Sequence, residues 1–480
     1  MAAQAVTIAF LTYQAMINLF SHYVSGRLMI LAALEGVVLL IAAQIGISLP
    51  FAGSATAVPG AGTAIPGQAA AFAVGMMIIM VSMGLYASDM WSDTRSVRGR
   101  LVAAFLAGLV AIALASSLVP SLYPGHVVLG ASIAGLALAG IYFVRSVYHR
   151  WNNLGVLTSR VLVLGTGSRV AGLEENSRRS PSHRVVGYVS LQPSKHFVPQ
   201  SQLLSMAPGD TLMSVVDKHA IDQIVVGVRD RRGGGFPVQQ LLECKMKGVK
   251  VVELPTFFER EYRQVMLESL NPSWMVLGDG FRQSFFGNLV KRFFDVTVSG
   301  VLLLFYLPVL LVAALCIFLE SGSPVLYRQE RVGRGGRVFT IYKLRSMRSD
   351  AEHNGTVQWA KANDDRTTRV GRIIRRCRID ELPQIVNVFK GEMSFVGPRP
   401  ERPIFVDQLN KQVPYYSLRH TIKPGITGWA QVRYAYGASV DDSIEKLQHD
   451  LYYVKNHSLF LDIMILIATV EVVLWGKGAR

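Results

Sequence analysis

Long apolar runs constrain the fold of this chain more than any other feature. Four of them lie in the first 150 residues, at 28–49, 68–87, 101–119 and 125–144. A helix needs about 20 consecutive apolar residues to cross the hydrocarbon core of a bilayer. The sequence therefore predicts a membrane α-helical bundle of four spans over residues 1–150.

The connections between these runs alternate in charge, and this predicts an orientation. Residues 50–67 and 120–124 contain no Lys or Arg, whereas the other connections are basic, with Arg95, Arg98, Arg100, Arg145 and Arg150. Because basic loops remain on the cytoplasmic side, both ends of the bundle are expected in the cytoplasm. Glu35 lies within the first run and is expected to face the bundle interior.

The formal charge of +16 must be read together with these runs. A basic balance can indicate nucleic-acid binding, but it also suits a membrane protein that acts on anionic lipids or phosphates. The length and number of the apolar runs favour the second interpretation, and no nucleic-acid partner is expected.

A fifth apolar run, 296–319, has basic residues on both sides. Lys291 and Arg292 precede it, and a second group of cations follows it from Arg328 onwards. A spanning helix should leave one flank poor in Lys and Arg, and Pro308 interrupts the run where it would bend a helix. The pattern predicts a re-entrant membrane helix, 288–319, that breaks at Pro308 and returns to the cytoplasmic face. An ordinary kinked fifth span is the alternative.

A last apolar run, Leu459 to Trp475, is short for a crossing and contains Asp462 and Glu471. It is expected to lie in the membrane interface as a C-terminal helix.

Residues 151–256 show a different pattern, with short β-branched runs between helical stretches. Strands are predicted at 161–164, 185–189, 223–228 and 249–254, with helices near 168–178, 210–220 and 236–247. This alternation predicts a Rossmann-like α/β domain with a parallel sheet. The segment from Gly165 to Val170 resembles a dinucleotide fingerprint but lacks its third glycine. A structural or regulatory role is favoured over nucleotide binding, and residues 257–287 are expected to form a linker.

A cluster of charges in the last third of the chain indicates phosphate chemistry. The adjacent carboxylates Asp380 and Glu381 follow a basic segment with Arg366, Arg369, Arg372, Arg375, Arg376 and Arg378. Guanidinium groups favour the ionised carboxylate and suit phosphate oxygens. Pro383 is compatible with the first turn of a helix, so both acids are expected at a helix N-terminus. There one acid could attack phosphorus while the other holds Mg²⁺.

Further cations are expected beside this pair. Lys343 and Arg345 alternate along a predicted strand and should share one face. Arg399 lies in the rigid tetrad Gly397-Pro398-Arg399-Pro400. A phosphate site is one interpretation, and a solvated surface with ion pairs is the other.

The motifs together resemble those of the bacterial polyprenyl-phosphate sugar phosphotransferases. The resemblance rests on Lys291-Arg292 with Asp295, the apolar run with Pro308, Tyr342 to Met347, Asp380 to Gln384, Gly397 to Pro400 and Lys423 to Val432. It covers 288–480 as an α/β catalytic domain, and the preceding regions match the large, exopolysaccharide-initiating members. Leu307 departs from the family, in which many members have serine before the proline.

The resemblance implies a mechanism. Asp380 attacks the β-phosphate of a UDP-sugar, UMP leaves, and undecaprenyl phosphate takes the sugar phosphate from Asp380. Glu381 is implied to hold Mg²⁺, and Lys343, Arg345, Arg376, Arg378 and Arg399 to bind phosphate. The sugar is expected to be a hexose, with glucose as the first choice. Membrane lipids and a homodimer partner are further expectations, in the bacterial inner membrane.

Three other functions fit parts of the sequence. A membrane-anchored nucleotide-sugar dehydratase or epimerase would need an intact cofactor fingerprint and a Tyr-x-x-x-Lys pair, which this chain lacks. A polysaccharide-assembly scaffold or transporter would form no labelled lipid from a UDP-sugar. A conventional glycosyltransferase would release UDP instead of UMP.

Overall fold

The chain forms two compact units in a computed structural model. The N-terminal unit contains Met1–Leu19 and Tyr23–Tyr262, and the C-terminal unit contains Phe20–His22 and Arg263–Arg480. The structure describes residues 16–19, 22–48, 66–86, 94–118, 127–153, 158–173, 177, 182–191, 197–206, 209–228, 236–270, 280–281, 284–348, 366–434, 437 and 439–475.

Helices occur at all four positions predicted for the bundle. The chain begins with paired strands β1 (Met16–Leu19) and β2 (His22–Ser25), of which only His22 belongs to the C-terminal unit. The helices α1 (Gly26–Ser48), α2 (Pro66–Ser82), α3 (Thr94–Leu118) and α4 (Val127–Asn153) follow in the N-terminal unit. Within the described residues, α1, α3 and the later helix Phe285–Ser321 are long and apolar enough to cross a membrane. Helix α2 is apolar but shorter, so the four-span layout stays a prediction.

Small and apolar side chains fill the bundle, and one ion pair lies among them. Leu39, Met80 and Ala104 are completely buried. Glu35 is also completely buried, and its carboxylate is 2.7 Å from Nε of Arg145. This burial confirms the expectation that Glu35 faces the bundle interior. The Arg145 guanidinium balances the Glu35 charge there.

A four-stranded parallel sheet follows the bundle. Its strands are β3 (Ser159–Leu164), β4 (His183–Val189), β5 (Gln223–Val226) and β6 (Lys250–Glu253), in the spatial order β4-β3-β5-β6. The intervening helices are α5 (Ser168–Ala171), α6 (Leu212–His219) and α7 (Val238–Met246), and α8 (Leu254–Tyr262) follows the last strand. Helix α8 extends into the segment expected as a linker, and its Phe257 is completely buried.

The glycine-rich turn after β3 has a packing role. Gly165 has a φ of +118°, which favours glycine. A Cβ at Gly227, after the neighbouring strand β5, would lie 2.4 Å from Cγ1 of Val170. Val170 occupies the position of the missing third glycine and therefore packs closely on the adjacent chain. The preference for a structural or regulatory role over nucleotide binding stays a prediction.

The C-terminal unit contains one very long helix and many shorter elements. They are α9 (Phe285–Ser321), β7 (Leu326–Val332), β8 (Val338–Leu344), α10 (Arg369–Arg376), α11 (Ile385–Lys390), β9 (Ser394–Val396), α12 (Pro403–Gln412), β10 (Gly425–Thr427), α13 (Trp429–Arg433), α14 (Val440–Asn456) and α15 (Leu459–Trp475). Strands β7 and β8 are antiparallel, and β9 and β10 are parallel. The predicted C-terminal interfacial run is therefore a helix, α15.

Both ends of α9 are held by the rest of the C-terminal unit. The helix runs 37 residues and keeps helical conformation through Pro308, so the expected break is absent. Near its start, Arg292 donates to the carbonyl of Val388 (2.7 Å). At its end, the carbonyl of Ser321 accepts from Arg345 (2.8 Å).

The two anchors are connected through a path of contacts that includes β8 and α11. A straight α-helix would separate Arg292 from Ser321 by about 44 Å. Arg345, which holds Ser321, comes three residues after Tyr342, and three strand residues span about 10 Å. The Tyr342 N–H donates to Oδ1 of Asn387 (3.3 Å). Asn387 directly precedes Val388, whose carbonyl accepts from Arg292. Pro308 lies about midway between the two anchors along the helix, where a proline favours a bend, and the re-entrant path stays a prediction.

Candidate functional site

Asp380 and Glu381 lie in a short 3₁₀ segment, Ile379–Gln384, between α10 and α11. The chain enters it through Arg378, whose φ of 58° is left-handed and ends the preceding helix. Both acids are 8% exposed. The predicted helix N-terminus is present, although its first turn is 3₁₀ and continues into α11.

Glu381 is surrounded by three cations. Its Oε1 accepts from Lys343 Nζ (2.8 Å) and from Arg399 Nη2 (3.0 Å), and its Oε2 lies 3.4 Å from Arg378 Nη1. Burial opposes ionisation, but these cations outweigh it and hold the pKa of Glu381 well below its usual value. Glu381 is therefore a fixed negative charge that positions Lys343 and Arg399 within the site.

Asp380 behaves differently from its neighbour. Burial and the negative charge of Glu381 raise the pKa of Asp380 to about 6, although Lys343, Arg375 and Arg378 oppose this rise. The sequence predicted that the arginines would keep both acids strongly ionised, and for Asp380 burial outweighs them. At neutral pH Asp380 is still largely a carboxylate, and it is more basic than an ordinary aspartate. Such a group suits nucleophilic attack.

Hydrogen bonds to two backbone carbonyls hold the loop that carries Arg399. Arg419 donates to the carbonyl of Arg399 (2.9 Å) and forms an ion pair with Asp450 (2.7 Å). Tyr453 donates to the carbonyl of Val396 (3.0 Å) at the other end of the loop. The sequence prediction missed Arg419 and Asp450, because the two residues meet only in the folded chain.

Two predicted phosphate ligands are not in the site. Arg345 lies beyond the end of β8, is buried, and donates to the carbonyls of Ser321 (2.8 Å) and Gly322 (2.6 Å). It therefore closes the end of α9 and does not share a face with Lys343. Arg376 is exposed, whereas its neighbour Arg375 influences Asp380. Adjacent helical residues point about 100° apart, so only one of the two arginines can face the acid.

The polar residues at the start of α9 contact protein groups. Lys291 forms an ion pair with Asp462 of α15 and donates to the carbonyl of Val396 (3.3 Å). Asp295 accepts from Ser394 Oγ (3.0 Å) and from the Phe395 N–H (3.2 Å). These contacts of Lys291 fix α9 against β9 and α15.

The described residues offer a magnesium ion only part of a ligand set. No three His, Cys, Asp or Glu side chains among them form a metal site. Mg²⁺ commonly takes one or two carboxylates, waters and substrate phosphate oxygens. Oε1 of Glu381 already accepts from two cations, whereas Oε2 has a single long contact to Arg378, whose side chain is 41% exposed. Oε2 fits a magnesium ion that is completed by substrate oxygens.

Known proteins resemble this chain over most of its length. The bacterial sugar transferase family matches residues 286–476. A UDP-N-acetylgalactosamine-undecaprenyl-phosphate N-acetylgalactosaminephosphotransferase of Aeromonas hydrophila is 35% identical over 351 residues, covering 73% of this chain and 79% of that protein. A UDP-glucose:undecaprenyl-phosphate glucose-1-phosphate transferase of Xanthomonas campestris pv. campestris is 32% identical over 348 residues, covering 70% and 71%. A sugar transferase of Bacillus subtilis is 40% identical over 192 residues, covering 40% and 91%.

Proposed function

Because the chain belongs to the undecaprenyl-phosphate sugar phosphotransferases, we propose that it transfers a hexose-1-phosphate from a UDP-hexose to undecaprenyl phosphate. UMP is the other product. The reaction would be the first membrane step of exopolysaccharide biosynthesis. The observation that carries the proposal is the buried Asp380 carboxylate, with a pKa of about 6, beside a fixed Glu381 with its three cations.

In the first half-reaction, an Asp380 oxygen attacks the β-phosphorus of the UDP-hexose. A bond forms between that oxygen and phosphorus, and the bond to the bridging diphosphate oxygen breaks with its electrons. UMP leaves, and the hexose phosphate stays on Asp380 as an acyl phosphate. Lys343 and Arg399, held by Glu381 at 2.8 Å and 3.0 Å, offset the charge on the transferred group.

In the second half-reaction, an oxygen of the undecaprenyl phosphate attacks the same phosphorus. The bond from phosphorus to Asp380 breaks, so the carboxylate is regenerated and a lipid diphosphate hexose leaves. The covalent route is favoured physically because two anionic substrates never need to react directly with each other. The transferred phosphorus bonds first to Asp380 and then to the lipid phosphate, and the same cations offset its charge in both steps.

We also propose that Mg²⁺ assists, bound by Glu381 Oε2 together with diphosphate oxygens. Bound there, it would supply further positive charge to the transferred group. Chelation with EDTA should lower UMP release at least tenfold, and added Mg²⁺ should restore it. Ca²⁺ is the matched control, because it prefers more ligands at longer distances and should restore less. Full activity in EDTA would remove magnesium from the proposal.

The anchoring of α9 supports the predicted re-entrant arrangement. Both helix ends contact the rest of the C-terminal unit, and Pro308 lies about midway between them along the helix. We propose that α9 enters and leaves the bacterial inner membrane on its cytoplasmic face, where nucleotide sugars are available. The acceptor phosphate would then meet the catalytic site at the membrane surface.

The test is to isolate the covalent intermediate. Wild-type protein given UDP-hexose without lipid acceptor should release about one UMP per chain and gain the mass of a hexose phosphate on the peptide containing Asp380. Asp380→Asn should give neither signal, whereas Asp441→Asn, at an exposed acid in the same unit, should give both. UDP release or a label on another peptide would overturn the proposal.

The sugar is tested with a panel of UDP-sugars scored by UMP release. The relatives named above use glucose in one case and N-acetylgalactosamine in another. We expect UDP-glucose to react fastest, and a clear preference for an N-acetylated sugar would contradict this assignment.

A further inference from the structure

A pocket opens at one end of the transmembrane bundle, between α3 and α4. Its volume is about 80 Å³, and its mostly apolar lining also includes basic side chains: Val97, Arg98, Leu101, Tyr142, Arg145, Ser146 and His149. The catalytic residues all lie in the other compact unit. Nothing in the proposed reaction uses this pocket.

Two arginines of the lining differ in their surroundings. Arg145 is buried, with its guanidinium fixed by Glu35 on one side and by the carbonyl of Leu85 (3.3 Å) on another. Arg98 is exposed and lies over the Tyr142 ring, with 5.9 Å between Cζ and the ring centroid. Glu35 balances Arg145, and among the described residues that line the pocket Arg98 adds a further positive charge.

The pocket lies at the level where lipid headgroups meet hydrocarbon. The apolar part of α3 begins at Leu101, directly after its basic first turns, and that of α4 ends at Arg145. By the positive-inside rule this is the cytoplasmic end of the bundle. Next to the pocket, the Tyr142 and Phe143 side chains are 48% and 69% exposed. Such aromatic side chains are typical of the membrane interface.

We propose that this pocket binds an anionic phospholipid, with its headgroup phosphate at Arg98 and His149 and its chain against Leu101 and the Tyr142 ring. Basic pockets between transmembrane helices on the cytoplasmic side are suited to such headgroups. Arg145 forms part of the pocket wall but adds little net charge, since Glu35 already neutralises its guanidinium. The site does not depend on the transferase activity proposed above.

Native mass spectrometry of the full chain tests the proposal. Protein incubated with equimolar phosphatidylglycerol and phosphatidylethanolamine should retain phosphatidylglycerol preferentially. Arg98→Gln should lower this preference about fivefold, since one basic residue at the headgroup contributes about that factor. Ser146→Phe fills the pocket without a change of charge and should reduce retention of both lipids.

Arg150→Gln is the matched control, because Arg150 is exposed at the same end of α4 but does not line the pocket. It should leave the preference unchanged. Equal retention of the two lipids by wild-type protein, or equal losses in Arg98→Gln and Arg150→Gln, would contradict a specific site. Displacement of phosphatidylglycerol by equimolar undecaprenyl phosphate would also overturn the assignment, because the acceptor lipid would then be the better ligand.

Discussion

Asp380 and Glu381 are neighbours in the chain, yet their surroundings shift their pKa values in opposite directions. Both are buried, so burial alone would raise both values. The difference arises because three cations pair directly with Glu381. The cations that influence Asp380 act at longer range, and the Glu381 anion lies beside it. Environment thus separates two adjacent acids into an ionised anchor and a more basic nucleophile.

The pH dependence of the first half-reaction should follow the ionisation of Asp380. Asp380 must be ionised to attack, so single-turnover UMP release should rise between pH 5 and 7, with an apparent pKa of about 6. Arg375→Gln should move this midpoint upward, by roughly half a unit to one unit, because the Arg375 charge favours the carboxylate. Quench-flow measurement of UMP across this pH range gives the midpoint.

Arg376→Gln is the control for this experiment. Arg376 is exposed and adjacent to Arg375 in sequence. The Arg376→Gln variant therefore loses the same charge at a residue that does not face Asp380. Its midpoint should equal that of wild-type protein. An equal shift in both variants would mean that general surface charge, and not the position of Arg375, sets the pKa.

The sequence predicted residue types better than residue roles. It identified Asp380, Glu381, Lys343 and Arg399, which the structure brings together. It assigned Arg345 to phosphate because alternation along a strand would place it beside Lys343. The strand ends one residue earlier, at Leu344, so the period of two no longer applies there.

At the scale of elements, the loop between β9 and α12 is held at both ends. Tyr453 of α14 fixes the carbonyl of Val396, and Asp450 of the same helix holds Arg419, which fixes the carbonyl of Arg399. Arg419 is thus a positioning residue: it touches the loop backbone, and the guanidinium of Arg399 reaches Glu381.

The second prediction follows from this arrangement. Arg419→Lys keeps the charge beside Asp450 but loses the planar fork that also bonds the Arg399 carbonyl. We expect about a tenfold loss in the rate of the first half-reaction, which corresponds to about 1.4 kcal/mol. The KM for undecaprenyl phosphate should stay within twofold of the wild-type value. Single-turnover and steady-state kinetics on the same preparation measure both quantities.

A double-mutant cycle separates positioning from a general loss of stability. In an Arg399→Ala background, Arg419→Lys should have little further effect on the rate, because the group it positions is gone. Additive losses in the two variants would show that Arg419 does not act through Arg399.

The elements themselves were largely predictable. The strands of the parallel sheet lie within two residues of their predicted positions, because buried β-branched runs mark them clearly. Pro308 was expected to break α9, but helical conformation continues through it. Proline removes one hydrogen bond and favours a bend, and the remaining turns still support the helix.

At the scale of the whole molecule, a short N-terminal segment belongs to the C-terminal unit. His22 is buried, and its Nδ1 lies 2.9 Å from the Tyr452 hydroxyl, 430 positions away. Its ring also packs edge-on against Trp429, with 5.5 Å between centroids. No local pattern in the sequence could indicate a contact over such a separation.

The third prediction rests on the protonation of His22. Burial, with Arg263 and Arg433 nearby, lowers the pKa of His22 to about 3, so the folded protein keeps it neutral. The unfolded chain binds a proton there below about pH 6.5, and the His22 contribution to stability therefore decreases as pH falls from 7 to 5.

His22→Ala should accordingly lower the thermal midpoint of UMP-releasing activity by several degrees at pH 8, because it removes a buried ring and its hydrogen bond. The difference from wild-type protein should shrink at pH 5.5, where the wild-type protein alone bears the cost of a neutral His22. His219→Ala, in the N-terminal unit, is the control and should leave the midpoint unchanged at both pH values. A His22→Ala effect that grows as pH falls would mean that His22 is protonated in the folded state, and the burial argument would then be wrong.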